Sequence, residues 1–96
     1  MRRDFAATLP DRRHALITAW RDLAEGDWSA DSVEAAYRVV HSLAGAAETF
    51  GFSDLGQAAR ALNDAVHDLR PGPTTADQRA KAERLCAQVF AAFDRP

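Results

Sequence analysis

The chain has one cysteine, Cys86. A single thiol can close no intrachain disulfide and build no thiolate metal cluster, and its ordinary use is as a small buried hydrophobe on a late helix. Lysine is as scarce, with Lys81 alone among 12 basic residues; this arginine bias has no single physical reading. A large charge of either sign is also missing. The net charge of −2 gives no basic excess for nucleic acid and no acidic excess for disorder. No apolar run approaches the roughly 20 residues that cross a bilayer. Arg2 and Arg3 are not followed by the apolar stretch of a signal peptide, so the expected compartment is the cytoplasm. Sustained alternation of apolar and polar residues is absent and β-branched residues are few, which argues against strands. The chain also lacks a glycine-rich phosphate loop, paired metal-binding histidines on one helix, and Gly-x-Ser-x-Gly. His14, His41 and His67 fall on different predicted helices with no accompanying carboxylate pattern, so no metal site is expected.

What remains is a helical plan. The 96 residues fit a single domain, 1–96, and Met1 favours a freestanding protein over a piece of a larger kinase. Pro10, the stretch Glu25-Gly26-Asp27, Gly51 and the cluster Pro71-Gly72-Pro73 divide the chain. A short N-terminal helix would carry Phe5 and Leu9. The next would begin near Pro10 and end near Gly26, with Leu16, Trp20, Leu23 and Ala24 as its apolar stripe. Ser29 to Ser32 can cap a third segment whose apolar positions are Val33, Ala36, Val40, Leu43, Ala47 and Phe50, spaced by threes and fours. Gly51 can end it in the left-handed conformation. Ser53 can cap the segment carrying Leu55, Ala59, Leu62, Val66 and Leu69. Thr75 and Gln78 form a capping box for a last helix striped by Ala82, Leu85 or Cys86, Val89 and Phe93. Helices with one apolar face each must bury those faces against one another. The expected fold is all-α, an antiparallel four-helix bundle with room for a short additional N-terminal helix.

His41 stands out on the third segment. At about 100° per residue it lies beside the stripe of Val40, Leu43, Ala44 and Ala47, at the edge of the buried face. Arg38, Gly45 and Glu48 share its side, with Glu34 one turn further back. A glycine inside a long helix costs about 1 kcal/mol against alanine. Gly45, one turn after His41, therefore suggests a flank kept bare. Periodicity alone leaves two readings open, a working imidazole and an ordinary histidine on a helix surface.

The run His41-Ser42-Leu43-Ala44-Gly45-Ala46-Ala47-Glu48-Thr49-Phe50-Gly51-Phe52 resembles the signature of histidine-phosphotransfer (HPt) domains, including the phosphotransfer domain of chemotaxis histidine kinases. That signature reads His-x-x-Lys-Gly, then small residues, then a Phe-Gly-Phe-like helix end. The likeness continues through Leu55 to Asn63. It implies that His41 is the phospho-acceptor, taking phosphate on its distal ring nitrogen from a phospho-aspartate or from a kinase using ATP. A carboxylate on the following helix often holds the other ring nitrogen in the family, and the matching position here is Asn63. Its amide oxygen can accept the N–H and fix the tautomer; the other reading of Asn63 is a polar residue flanking the stripe.

Two positions depart from the pattern. The family's lysine three residues after the histidine is Ala44 here, which leaves Arg38 or Arg60 as substitute cations or as ordinary solvated arginines. Glu48 stands where the family often has a small residue, and a carboxylate there would oppose an incoming phosphate. The resemblance implies a monomeric phosphocarrier rather than an independent enzyme, with receiver domains and a histidine kinase as partners and no nucleic acid or membrane. It implies no cofactor of its own, Mg²⁺ being expected on the partner receiver. A module that binds a receiver or kinase without transfer is the alternative.

Overall fold

The computed structural model describes residues 2–70 and 74–94, with side chains from residue 6 onward. Among the described residues there are four helices and no strand: α1 (Arg2–Glu25), α2 (Ala30–Thr49), α3 (Ser53–Asp68) and α4 (Ala76–Phe93). Short links reverse the chain between neighbours, giving an up-and-down bundle of 39 × 19 × 19 Å. The α2–α3 contact is the most extensive and α3–α4 the next; α1 packs mainly on α2 and only grazes α4.

The core follows the predicted stripes. Val33, Ala36, Val40, Leu43 and Ala47 of α2 are buried against Leu55, Ala59, Leu62 and Val66 of α3, with Ala82, Cys86 and Val89 from α4. Alanines between the larger side chains let helix backbones approach closely. Truncating a fully buried anchor such as Leu43 or Leu62 to alanine would cost about 2–5 kcal/mol. Of Leu85 and Cys86, the inward residue is Cys86. On α1 the inward line is Leu16, Ala19 and Leu23, whereas Trp20 is half-buried and Ala24 exposed. The alanine that reaches the core is thus Ala19, because the contact of α1 with α2 is narrow.

Two expected boundaries, Pro10 and Ser53, differ, while α1 ends beside Gly26 as expected. Pro10 does not begin a helix; α1 runs through it, so among the described residues there is no separate N-terminal helix, and Leu9 packs against the core from the same helix. A proline's fixed φ is helical, and what it forfeits is one backbone hydrogen bond, here on an exposed face. At the end of α1, Asp27 (φ 52°) and Trp28 (φ 57°) take the left-handed conformation. Gly26 serves instead by close approach, since a Cβ there would stand 2.9 Å from the Asp22 carbonyl oxygen. Trp28 N–H closes on the Leu23 carbonyl at 2.8 Å, and its ring meets Trp20 edge-on at 6.0 Å. Finally, Ser53 is the first residue of α3 rather than its cap. Phe52 holds the cap position with no side-chain hydrogen bond.

That last change follows from how α2 ends. Gly51 is left-handed (φ 80°), its N–H reaching Glu48 O at 3.3 Å, while Phe52 N–H reaches Ala47 O at 2.9 Å. This pair of bonds is a Schellman ending. It turns the chain so tightly that α3 starts before Ser53 can reach back. The other caps match their sequence signals. Ser29 Oγ accepts from Ser32 N–H at 3.2 Å, and Thr75 and Gln78 form both bonds of the capping box. Phe5's side chain and the Pro71-Gly72-Pro73 break lie outside the described residues. No helix of the described residues is long and apolar enough to cross a membrane.

Candidate functional site

His41 sits in the middle of α2, exposed, between the buried residues Val40 and Leu43. Helical phase puts it there: Val40 and Leu43 follow the stripe inward, and His41 is turned onto the shoulder facing α3. It borders an open hollow of about 480 Å³ whose other walls are Ala44, Gly45 and Glu48 from α2, with Arg60, Asn63 and Asp64 from α3. Ala44 is buried in this wall. Gly45 is exposed, and a Cβ added to it would meet nothing within 4 Å. The flank of His41 is open.

The hollow carries charge of both signs. Arg60 Nη2 lies 2.6 Å from Glu48 Oε1 and 2.6 Å from Oε2. Both side chains are largely exposed, so this pair stabilises the fold by no more than about 1 kcal/mol. Asp64 adds a second carboxylate to the rim. Gly56 allows α3 to come close beside Glu48, because a Cβ at Gly56 would stand 3.1 Å from Glu48 Cγ.

Asn63 joins His41 in the hollow, but the hydrogen bond expected between them is not formed. Asn63 Oδ1 is buried and has no partner. An unsatisfied buried acceptor costs about 1–3 kcal/mol, so it favours any donor that turns towards it. The imidazole leans the other way, onto a residue that the sequence reading passed over. Tyr37, one turn earlier on α2, stacks on His41 with ring centroids 5.6 Å apart and planes at 22°. The His67 ring of α3 stands 6.0 Å from Tyr37, and the Arg70 guanidinium lies 4.4 Å from the Tyr37 centroid. Glu34 holds Arg70 through Nε at 2.9 Å. The signal in the sequence was the i, i+4 spacing of Tyr37 and His41, which puts two rings one above the other on a helix.

Of the two arginines considered as cations, Arg60 is the one brought beside His41's hollow. Arg38 lines a different depression of about 290 Å³ between α1 and α2, with Arg12, Ala15, Val39, Ser42 and Leu43. Glu34 likewise faces Arg70 rather than the hollow. His14 is exposed on α1. Among the described residues, no group of three or more His, Cys, Asp or Glu side chains could hold a metal ion. Cys86 is buried, and desolvation, with a smaller contribution from Glu83, pushes its thiol up to about 12. A thiol so placed is inert as a nucleophile.

The family model described as Hpt domain matches residues 1–94. No match was found among curated proteins or among solved structures.

Proposed function

Given that the chain belongs to the Hpt domain family, whose members serve histidine phosphotransfer in two-component signalling, we propose that it carries a phosphoryl group on His41 and relays it between receiver domains, or from a kinase to a receiver. The observation that carries this reading is an exposed mid-helix imidazole on the rim of an open hollow, with bare space above Gly45.

In this reading the neutral His41 ring stays on its Tyr37 stack with its proton on Nδ1, and a turn of the Asn63 side chain brings its orphaned Oδ1 into reach of that N–H. The Nε2 lone pair then attacks the phosphorus of a receiver's phospho-aspartate in line. The N–P bond forms as the P–O bond to the aspartate breaks, and the carboxylate leaves with the electron pair. His41 now bears phosphorus on Nε2 and the proton on Nδ1. Transfer to the next receiver reverses these steps. Mg²⁺ on the receiver would offset the phosphoryl charge during transfer, and positioning supplies most of the rest. Arg60 is the cation available to the bound phosphoryl group once it lets go of Glu48.

A second reading has its own support. Ala44 brings no charge, and Glu48 and Asp64 put carboxylates on the rim, which favours a module that binds a receiver without accepting its phosphate. Incubation with phosphorylated receivers separates the two. Transfer predicts a label that is acid-labile and alkali-stable, as a phosphoramidate is, and that is lost in His41→Gln while helicity and Tm stay nearly unchanged. Binding with no label on the wild-type chain would favour the second reading. An undiminished label in His41→Gln would exclude His41 as the acceptor.

A further inference from the structure

We infer that Tyr37 is a positioning residue that sets the plane of the His41 imidazole for its partner, an inference that rests on the phosphotransfer reading of His41. The two rings are near-parallel, with planes at 22° and centroids 5.6 Å apart, an offset stack of the kind aromatic rings favour. Tyr37 is itself fixed from the neighbouring helix. It is half-buried against the core, the Arg70 guanidinium lies 4.4 Å from its centroid, and Glu34 restrains Arg70 at 2.9 Å. The His67 ring tilts against it at 55°. Among the described residues the His41 side chain makes no hydrogen bond and no ion pair, so this stack is what orders an otherwise exposed imidazole.

A helical histidine without such a neighbour samples about two χ1 wells and two orientations of χ2. Only one of those arrangements aims Nε2 along the approach fixed by a docked partner. Tyr37 therefore removes a dilution of about fourfold, and more where the line of attack is strict. A small donor has no such requirement, because it can approach whichever arrangement the ring adopts.

The test uses two donors on the full chain. One is phosphoramidate, which loses ammonia as the N–P bond to His41 forms. The other is a phosphorylated receiver that transfers to the wild-type chain. Tyr37→Ala should slow labelling by the receiver about four- to tenfold, while labelling by phosphoramidate stays within about twofold. Tyr37→Phe, which keeps the ring and loses the hydroxyl, should match wild type with both donors. Arg70→Gln, which loosens Tyr37 without touching His41, should give an intermediate loss with the receiver. In the free proteins, the His41 ring proton resonances should move in Tyr37→Ala and not in Tyr37→Phe. Wild-type rates from the receiver in Tyr37→Ala would overturn the inference, as would an equal slowing with both donors. A wild-type chain that phosphoramidate does not label, and for which no phosphorylated receiver serves as donor, would instead remove the phosphotransfer reading itself.

Discussion

Arg60 meets both carboxylate oxygens of Glu48 with one guanidinium nitrogen, Nη2, so the cation in His41's hollow is already engaged by a residue of the same helix as His41. The engagement is weak, and a phosphoryl group brings about two negative charges and more acceptor oxygens. Glu48→Gln should therefore free Arg60 and move the phosphate partition towards this chain about three- to tenfold. Arg60→Gln should move it the other way, and the double variant should follow Arg60→Gln. Partition against one receiver, measured at two ionic strengths, checks this. Single variants that shift in the same direction would show that Glu48 does not compete for Arg60.

Ala44 offers a second route to the same charge. It is buried in the wall of the hollow, and a lysine placed there can run its aliphatic stem along the wall with the ammonium at the rim. Ala44→Lys should shift the partition towards this chain by about three- to tenfold, less at high salt. An unchanged partition would mean that the position does not face the phosphate.

Gly45 separates stability from access. Its added Cβ has open space, so Gly45→Ala should raise stability by about 0.5–1 kcal/mol through helix propensity. Gly45→Leu should fold equally well, yet block a partner from His41. Chemical denaturation and receiver transfer, measured on both variants, give the comparison. Transfer at the wild-type rate in Gly45→Leu would show that no partner uses this space.

Cys86 gives the fold an alkaline limit. Its thiol ionises near 9.0 when unfolded and only near 12 when buried, so between those values the unfolded state binds fewer protons. Stability contributed by the protonated thiol is complete below about 9 and falls as pH rises, by about 1.4 kcal/mol at pH 10. Cys86→Ala carries a packing penalty at every pH but should lack this slope. Denaturation midpoints of the two proteins from pH 8 to 10.5 should converge. Parallel curves would show that the thiol is not protected.

Much of this architecture was legible in the sequence because local signals agreed. The α2 stripe, the Gly51 ending and the Thr75–Gln78 box each depend on residues within one or two turns. Pro10 misled because a proline punctuates only when its lost hydrogen bond and ring meet no support, and α1 has Leu9 packed on one side of it and Leu16 on the other. Ser53 failed as a cap because the Schellman turn preceding it left no room, a matter of three-dimensional path. His41, Gly45, Ala44 and Asn63 do line one hollow, since each follows its helical phase. Arg38 points elsewhere because, at three residues before His41, it drifts towards α1. The i, i+4 spacing of Tyr37 and His41 allowed their stack, but that His67 of α3 and Arg70 just beyond it close over the Tyr37 ring is a matter of tertiary packing that no spacing within α2 announces.

The lopsided attachment of α1 sets an order of opening. Held by α2 and barely touching α4, α1 can detach without separating the α2–α3 and α3–α4 seams. Amide hydrogens of its first half, exposed around Pro10, should exchange with solvent through local excursions, whereas those flanking Val40 and Leu62 exchange only on global unfolding. His41 belongs to the slow unit. A phosphoryl group lodged there would ride on the part of the molecule that opens last, and its lifetime would be decoupled from the breathing of the N-terminal helix.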